Sequence, residues 1–168
     1  MSREITLNGN KFSLSGAELN AGLKAPDFTL AANDLSDVSL KDFKGRIVVL
    51  SAVPSLDTPT CSIETAHFNK EAGKLGDKVK ILTVSKDLPF AQARWCAAQG
   101  IKNLQTLSDY KNTSFSQDYG LLIKGLYLLT RAVFVIDGEG VIRYVQFVKE
   151  VSNEPDYKAV LDAVNELI

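Results

Sequence analysis

The chain has 168 residues, of which 45% are hydrophobic and 23% charged, and its formal net charge is −1. This length and composition are typical of one globular domain, here spanning residues 1–168. The balanced charge provides no basic surface for nucleic acid or an anionic membrane, and no apolar run approaches the roughly 20 residues that cross a bilayer. The N-terminal residues lack the apolar core of a signal peptide, so we expect a cytoplasmic protein.

The chain begins with a predicted β-hairpin at about residues 3–15. Apolar and polar residues alternate on both sides of the turn sequence Asn8-Gly9-Asn10, and this period is typical of paired strands. Two further strand-like pieces lie near residues 28–30 and 38–40.

A strand followed by a helix forms the centre of the predicted fold. Residues 46–53 form a nearly continuous β-branched apolar run, which is typical of a strand buried on both faces, and Pro54 ends it. The next helix has Asp57 or Thr58 as its N-cap and ends at Gly76.

The remaining elements continue the alternation of strands and helices. In chain order, the pattern predicts a strand at 79–84, a helix that Asp87-Leu88-Pro89 opens and Gly100 ends, a strand at 104–107, a short helix near 115–119, strands at 132–136 and 141–147, and a helix over 155–168. Such an order indicates an α/β fold with helices on both faces of a mixed central sheet. It is the thioredoxin-like arrangement with an N-terminal β-hairpin added.

One of the two cysteines lies where the first central helix begins. With Thr58 as N-cap, Cys61 is the third helical residue and faces free backbone N–H groups and the positive end of the helix dipole. Both features favour the thiolate, which is the nucleophilic form. The alternative is an inert core cysteine, which the polar neighbours Thr60 and Ser62 disfavour.

The second cysteine, Cys96, lies in the last turn of the next predicted helix. The separation from Cys61 excludes a Cys-x-x-Cys pair, and neither cysteine has a nearby third ligand for a metal such as zinc. Cys96 is either an apolar filler beside Trp95 or a partner that reaches Cys61 after the helix ends unwind.

Two other side chains are candidate partners of Cys61. Arg131 directly precedes a core strand, so it is either a solvated arginine or a guanidinium that stabilises a thiolate and donates to a peroxide oxygen. His67, the only histidine, is six residues from Cys61 and about 240° around the helix. The pair that a Cys–His hydrolase needs is therefore not expected.

These residues resemble the active-site signature of the peroxiredoxins, Pro54-x-x-x-Thr58-x-x-Cys61 with Arg131 on a later strand. The chain also resembles the thiol peroxidase subfamily over essentially its whole length. The segments that carry this likeness, besides the N-terminal hairpin, are Ala25–Leu30, Asp34–Val38, Pro54–Thr58, Ser85–Gln92, Cys96 and Asn153–Tyr157.

The resemblance implies a peroxidase that reduces hydrogen peroxide and organic hydroperoxides with thiols alone, without a cofactor. It implies an atypical two-cysteine enzyme in which Cys61 is the peroxidatic and Cys96 the resolving cysteine, joined after oxidation in an intramolecular disulfide. Thr58 would hydrogen-bond the thiolate and the peroxide, Arg131 would stabilise both, and Pro54 would shield the site. Thioredoxin would be the reductant, and the protein would be a homodimer.

Two other functions remain open from the sequence. A thiol–disulfide oxidoreductase would act on protein disulfides, although the Cys-x-x-Cys motif is missing. A redox-inactive thioredoxin-like interaction domain would contain an unreactive Cys61. The apolar segment 121–129 is either core or part of the substrate approach or of a dimer contact.

Overall fold

A computed structural model describes residues 3–168 of the chain. Its strands are β1 (Arg3–Leu7), β2 (Asn10–Ser15), β3 (Thr29–Ala31), β4 (Asp37–Ser39), β5 (Ile47–Ala52), β6 (Val79–Ser85), β7 (Gln105–Ser108), β8 (Leu122–Ile123), β9 (Ala132–Ile136) and β10 (Ile142–Phe147). Its helices are α1 (Pro59–Leu75), α2 (Pro89–Gln99), α3 (Ser114–Asp118) and α4 (Tyr157–Asn165), and a 3-10 turn, Leu40–Phe43, precedes β5.

Seven strands form the main sheet, in the order β10-β9-β5-β6-β7-β3-β4. Strands β5, β6 and β7 run parallel to one another. On one side of them, β9 pairs antiparallel with β5, and β10 pairs antiparallel with β9. On the other side, β3 pairs antiparallel with β7, and β4 pairs antiparallel with β3. The mixed sheet predicted from the sequence is therefore confirmed. Every residue of β5 is buried, as its unbroken apolar sequence predicted for a central strand.

Alternate residues of β5 pack against different layers. Val49 lies in a core cluster with Phe68 of α1 and Val160 of α4. Leu50 lies in a second cluster with Phe28 and with aromatic residues of the α3 region. Both faces of the sheet are thus covered by packed side chains. This packing holds the ends of the strands in place, together with the loops that follow them.

The helices begin and end close to the predicted positions, with one difference. Gly100 ends α2 in the left-handed conformation (φ 65°), where glycine has no Cβ penalty. Helix α4 is shorter than predicted, because Asp156 accepts a hydrogen bond from the Ala159 N–H (3.0 Å) and so caps the helix after Pro155. Within residues 3–168, no helix combines the length and the apolar character that crossing a membrane requires.

The N-terminal hairpin is present and belongs to a second, small sheet. β2 pairs with β8, so that Leu14 lies opposite Ile123. Both residues are core, which makes part of the 121–129 segment plain core. The centre of that segment is an exposed turn around Tyr127, whose side chain is 67% exposed. The hairpin is joined to the segment after β10 by the hydrogen bond from the Val151 N–H to the Thr6 carbonyl (2.8 Å).

Candidate active site

The first turn of α1 positions Cys61 at the end of the central strand. Helix α1 begins at Pro59, and Thr58 is its N-cap, whose Oγ1 accepts a hydrogen bond from the Cys61 N–H (3.3 Å). Cys61 is therefore the third helical residue, as the sequence predicted. Its side chain is fully buried and packs with Val53 and Leu56. The helix start thus presents the sulfur at the carboxyl edge of β5, inside the protein surface.

Arg131 lies beside Cys61 because of the strand pairing. β9 is antiparallel to β5 with Ala132 opposite Ala52, so the residue before β9 meets the loop that follows β5. The Arg131 Nη2 donates to Cys61 Sγ at 3.2 Å. Arg131 is only 2% exposed, so its interpretation as a solvated arginine is wrong. A buried guanidinium is held against the sulfur.

Glu64 is a buried carboxylate of the site that sequence reasoning missed. It lies one turn after Cys61 in α1, and its Oε2 accepts a hydrogen bond in a salt bridge from Arg131 Nη1. Its Oε1 accepts from Ser51 Oγ at 3.1 Å. One sequence signal was available: Glu64 is spaced three residues after Cys61 and four before the buried Phe68, so a charge stands on the apolar face of the helix.

The three groups share one low-dielectric pocket, and their charges are coupled. Burial raises the pKa of Glu64, against the opposing effect of the Arg131 charge. Burial also works against the Arg131 charge, but Glu64 and then Cys61 outweigh it and raise the pKa of Arg131. Arg131 is therefore a permanent cation facing both a carboxylate and a sulfur.

The segment after β10 completes the site with backbone carbonyls. Arg131 Nε donates to the Val151 carbonyl (2.8 Å), and Thr60 Oγ1 donates to the Ser152 carbonyl (2.9 Å). Arg131 thus makes contacts through all three of its nitrogens, and its planar fork has one orientation. This loop and Glu64 together hold the guanidinium so that its third nitrogen, Nη2, points at the Cys61 sulfur.

Thr58 and Pro54 lie in the loop that joins β5 to α1. The Thr58 hydroxyl donates to the Ser55 carbonyl (3.1 Å) while it accepts from the Cys61 N–H. Its proton is therefore directed to the loop and away from the sulfur in this structure. Pro54 is buried directly after β5, a placement consistent with shielding of the site.

Cys96 is not in contact with Cys61, and both thiols are free. Cys96 lies in the last turn of α2, is half-buried, and its Sγ is 3.4 Å from Thr106 Oγ1. The neighbouring Trp95, and not Cys96, packs against the cluster that contains Cys61. The structure thus keeps the two sulfurs apart while the helices that carry them remain intact.

His67 is not a partner of Cys61. Its ring stacks on Tyr157 of α4, with ring centroids 3.8 Å apart and planes inclined by 14°. This contact agrees with the helical spacing, which directs His67 and Cys61 to different sides of α1.

Comparisons with known proteins agree with this geometry. The sequence profile of the Redoxin family matches residues 20–161. The chain is 53% identical to a thiol peroxidase of Oceanobacillus iheyensis over 161 residues (96% of this chain, 98% of the relative) and 47% identical to a thiol peroxidase of Bacillus subtilis over 165 residues (98% of each). The chain belongs to the Redoxin family, among its thiol peroxidases.

The fold of this thiol peroxidase also has a solved counterpart. A crystal structure of a peroxiredoxin-like protein from Aquifex aeolicus superposes with a TM-score of 0.93 at 41% identity, covering 99% of this chain and 98% of the other. The expected thioredoxin-like peroxiredoxin fold is therefore confirmed, with the N-terminal hairpin included.

A surface groove lies beside the site of the thiol peroxidase. It has a volume of about 640 Å³ and is lined by Leu56, Asp57, Asp87, Phe90, Ala91, Arg94, Trp95 and Ala98. Cys61 is not part of its lining. Leu56 lines the groove and belongs to the buried cluster that contains Cys61, and Trp95 lines the groove and packs against that cluster. The groove and the buried site therefore share these two side chains.

Proposed function

We propose that this thiol peroxidase reduces hydrogen peroxide and organic hydroperoxides through Cys61, and that Cys96 resolves the oxidised product. The observation that supports the proposal most strongly is the contact of 3.2 Å between Arg131 Nη2 and Cys61 Sγ in a buried pocket. A fixed cation beside a sulfur stabilises the attacking thiolate and the peroxide oxygen that leaves when the O–O bond breaks.

The first step consumes one peroxide. The Cys61 thiolate attacks the nearer peroxide oxygen, so that an S–O bond forms and the O–O bond breaks. The leaving oxygen takes a proton and departs as water or an alcohol, and Cys61 becomes a sulfenic acid. The sulfur is oxidised by two electrons, which the peroxide accepts.

Ionisation of the thiol accounts for only part of the rate. An ordinary thiol is about 3% ionised at pH 7, so complete ionisation raises the thiolate concentration about thirtyfold. This factor corresponds to about 2 kcal/mol of activation free energy. Arg131, the N–H groups at the start of α1 and Thr58, once its hydroxyl turns from the Ser55 carbonyl, are the donors available for the breaking O–O bond.

The second step joins the two cysteines. The Cys96 sulfur attacks the Cys61 sulfenic acid, a disulfide forms and water departs. Because Trp95 occupies the side of α2 that contacts the Cys61 cluster, the ends of α1 and α2 must open first. Helix termini are the parts of a helix that open at the lowest free-energy cost.

A dithiol reductant then restores both thiols by exchange, and we propose thioredoxin for this role on the basis of the family resemblance. The same proposal places the protein in the cytoplasm, where free thiols persist. It also includes a homodimer, again on the basis of the family resemblance.

A coupled assay tests the function against its alternatives. With thioredoxin, its reductase and NADPH, we expect NADPH oxidation on addition of hydrogen peroxide or cumene hydroperoxide. Cys61→Ser should abolish turnover, and Cys96→Ser should stop thioredoxin-dependent turnover but still consume one peroxide per chain. Reduction of insulin without peroxide turnover would instead favour a thiol–disulfide oxidoreductase. No reaction in either assay would favour an interaction domain.

A further inference from the structure

Asp87 connects the loop before Cys61 to the helix that carries Cys96. It lies between β6 and α2, within the Ser85–Gln92 segment of the family resemblance, to which the proposed chemistry assigns no role. Its Oδ1 accepts from Ser55 Oγ (2.7 Å), and its Oδ2 accepts from the Leu56 N–H (2.8 Å). One carboxylate thus binds two consecutive residues of the loop that leads into α1.

On the Cys61 side, these bonds continue to the helix cap. The Ser55 carbonyl accepts from the Thr58 hydroxyl (3.1 Å) and from the Thr58 N–H (3.2 Å). Thr58 in turn caps the N–H of Cys61. The position of the first turn of α1 therefore depends on a loop that Asp87 holds.

On the Cys96 side, a second set of bonds reaches α2. The Ser85 hydroxyl donates to Asp87 Oδ2 (2.7 Å) and accepts from Gln92 Nε2 (2.9 Å), which also donates to the Leu107 carbonyl (2.9 Å). Gln92 is fully buried and lies one turn before Cys96. The donors all point towards the carboxylate, so the bonds from α2 and from the loop before α1 meet on one negatively charged group.

We propose that Asp87 is a positioning residue that holds the start of α1 and the helix α2 closed together, and that its bonds break as a unit when the two helices open. The inference rests on the proposed Cys61–Cys96 disulfide. Hydrogen bonds that share one charged acceptor are lost together once that acceptor is displaced. Release of the loop before Cys61 therefore weakens the attachment of α2, so that both partners of the disulfide become mobile in one event.

Removal of the carboxylate should favour the open form. For Asp87→Ala, we expect disulfide formation from the sulfenic acid to become about tenfold faster or more, since three hydrogen bonds to a charged acceptor are lost. The reaction of Cys61 with peroxide should change by a smaller factor, because Arg131 and Glu64 do not contact Asp87. Over-oxidation, in which a second peroxide converts the sulfenic acid to sulfinic acid and departs as water or alcohol, should decrease because resolution is faster.

Asp87→Asn is the conservative variant. The amide oxygen can replace Oδ2 and accept from Leu56 and Ser85, while the amide N–H donates to a rotated Ser55 hydroxyl. We therefore expect this variant to behave much like the unchanged protein. Ser55→Ala, which removes one donor only, should accelerate resolution by a factor of about three.

The experiment measures the two steps separately at one temperature. Reduced protein is mixed with hydrogen peroxide, quenched with acid at set times and weighed without reduction, and the same variants with Cys96→Ser give the rate of the peroxide step alone. The matched control is Asp137→Ala, at the opposite end of the sheet, where the Asp137 carboxylate accepts from the Glu139 and Val141 N–H groups and from Arg143 Nε. It should reduce stability without changing the rate of resolution.

Unchanged or slower resolution in Asp87→Ala, with a normal disulfide in the unchanged protein, would overturn the inference alone. Equal acceleration in Asp137→Ala would also overturn it, because the effect would then reflect general destabilisation. Should Asp87→Ala fail to fold, resolution in Ser55→Ala that is no faster than in the unchanged protein would have the same consequence. Absence of the disulfide in the unchanged protein would instead overturn the proposed function.

Discussion

In the proposed mechanism, Arg131 is the side chain on which the reactivity of Cys61 depends most directly. Its three nitrogens contact Cys61, Glu64 and the Val151 carbonyl, so that it is held in one orientation before any peroxide arrives. A preorganised donor of this kind is worth more in the transition state than a mobile one in water.

Arg131→Ala should therefore lose more rate than its effect on thiolate content explains. We expect a decrease of about 10²-fold or more in the peroxide step, the range for loss of one preorganised donor. Stopped-flow kinetics and a thiol titration of the same variant, both with Cys96→Ser, give the two quantities. Equal losses in rate and in thiolate content would contradict a role in activating the peroxide.

Glu64 should matter first for stability, because it balances a buried charge. Glu64→Ala leaves the Arg131 guanidinium buried without its carboxylate, and we expect a loss of about 3–5 kcal/mol in the free energy of unfolding. Glu64→Gln keeps one acceptor oxygen for Arg131 and should lose less. Urea denaturation measures both.

The matched control for Glu64 is Glu71→Ala in the same helix. Glu71 pairs with Lys74 on the surface (3.3 Å), and such pairs contribute about 0.5 kcal/mol. If Glu71→Ala lowered the free energy of unfolding as much as Glu64→Ala, the buried ion pair would contribute no more to stability than a surface pair.

The sequence predicted the reactive residues of the site better than the groups that hold them. Cys61 and Arg131 could be identified because a thiol at a helix start and a guanidinium before a strand are chemically conspicuous. Glu64 and Asp87 could not be identified in the same way, since a carboxylate on a helix or in a turn is usually solvated. Their roles follow from which atoms face them, and that depends on how β9, α1 and α2 meet.

At the scale of the elements, the proposed disulfide requires the first turn of α1 and the last turns of α2 to move. With both thiols free, Cys61 is buried in a cluster with Leu56 against which Trp95 packs, and Cys96 lies beside Thr106. The two helices thus hold the thiols in separate environments.

Hydrogen exchange should report this opening. We expect faster amide exchange in the disulfide form over residues 58–68 and 93–100, because a disulfide cannot form while both helix ends are intact. The buried strand β5 should exchange equally slowly in both forms and serves as the internal control. Unchanged exchange at both helix ends would contradict the opening step.

The elements themselves were predictable where local sequence determines them. β5 is a nearly continuous apolar run and β6 is mostly apolar and buried, and Gly76 and Gly100 end their helices as predicted. The two-residue strand β8 was not predicted, because it exists only through its pairing with β2. Leu161 of α4 is only half-buried, since the core side of this helix is formed by Val160 and Val164.

At the scale of the whole molecule, stability should depend on pH through a buried acid beyond β7. Asp109 is 3% exposed, and its Oδ2 lies 3.0 Å from Lys86 Nζ, which donates to the carbonyls of Asp109 and Asn112. Burial raises the pKa of Asp109 to about 6, and Lys86 opposes the increase only in part. The folded protein therefore binds this proton more tightly than the unfolded chain does.

Because the pKa of Asp109 is higher in the folded protein, protonation of Asp109 stabilises the fold. The stabilising contribution is complete below about pH 4 and is lost as the pH rises through about 6, by up to about 3 kcal/mol. Urea denaturation at pH 4.5 and pH 7 should show this loss, and Asp109→Asn should remove it. A difference between the two proteins that does not change with pH would contradict the assignment.

Glu150 affects stability at lower pH, and its stabilising contribution is lost as the pH falls instead of as it rises. Hydrogen bonds from Ser152, and then from the N–H groups of Gly9 and Asn8, lower the pKa of Glu150 to about 2. Its contribution is present above about pH 4.5 and is lost as the pH falls towards 2. Since Glu150 joins the N-terminal hairpin to the loop that holds Arg131, acid should loosen the hairpin first.

The proposed function depends on one chemical event, the oxidation of Cys61 and Cys96 to a single intramolecular disulfide. The most direct measurement is the intact mass of reduced protein after one equivalent of hydroperoxide, recorded without a reductant. We predict the loss of two hydrogen atoms from the monomer, no change in Cys61→Ser, and the gain of one oxygen atom in Cys96→Ser. An unchanged mass in the unaltered protein would contradict the proposed function. The gain of one oxygen atom in Cys61→Ser but not in Cys96→Ser would contradict the assignment of Cys61 as the thiol that attacks the peroxide.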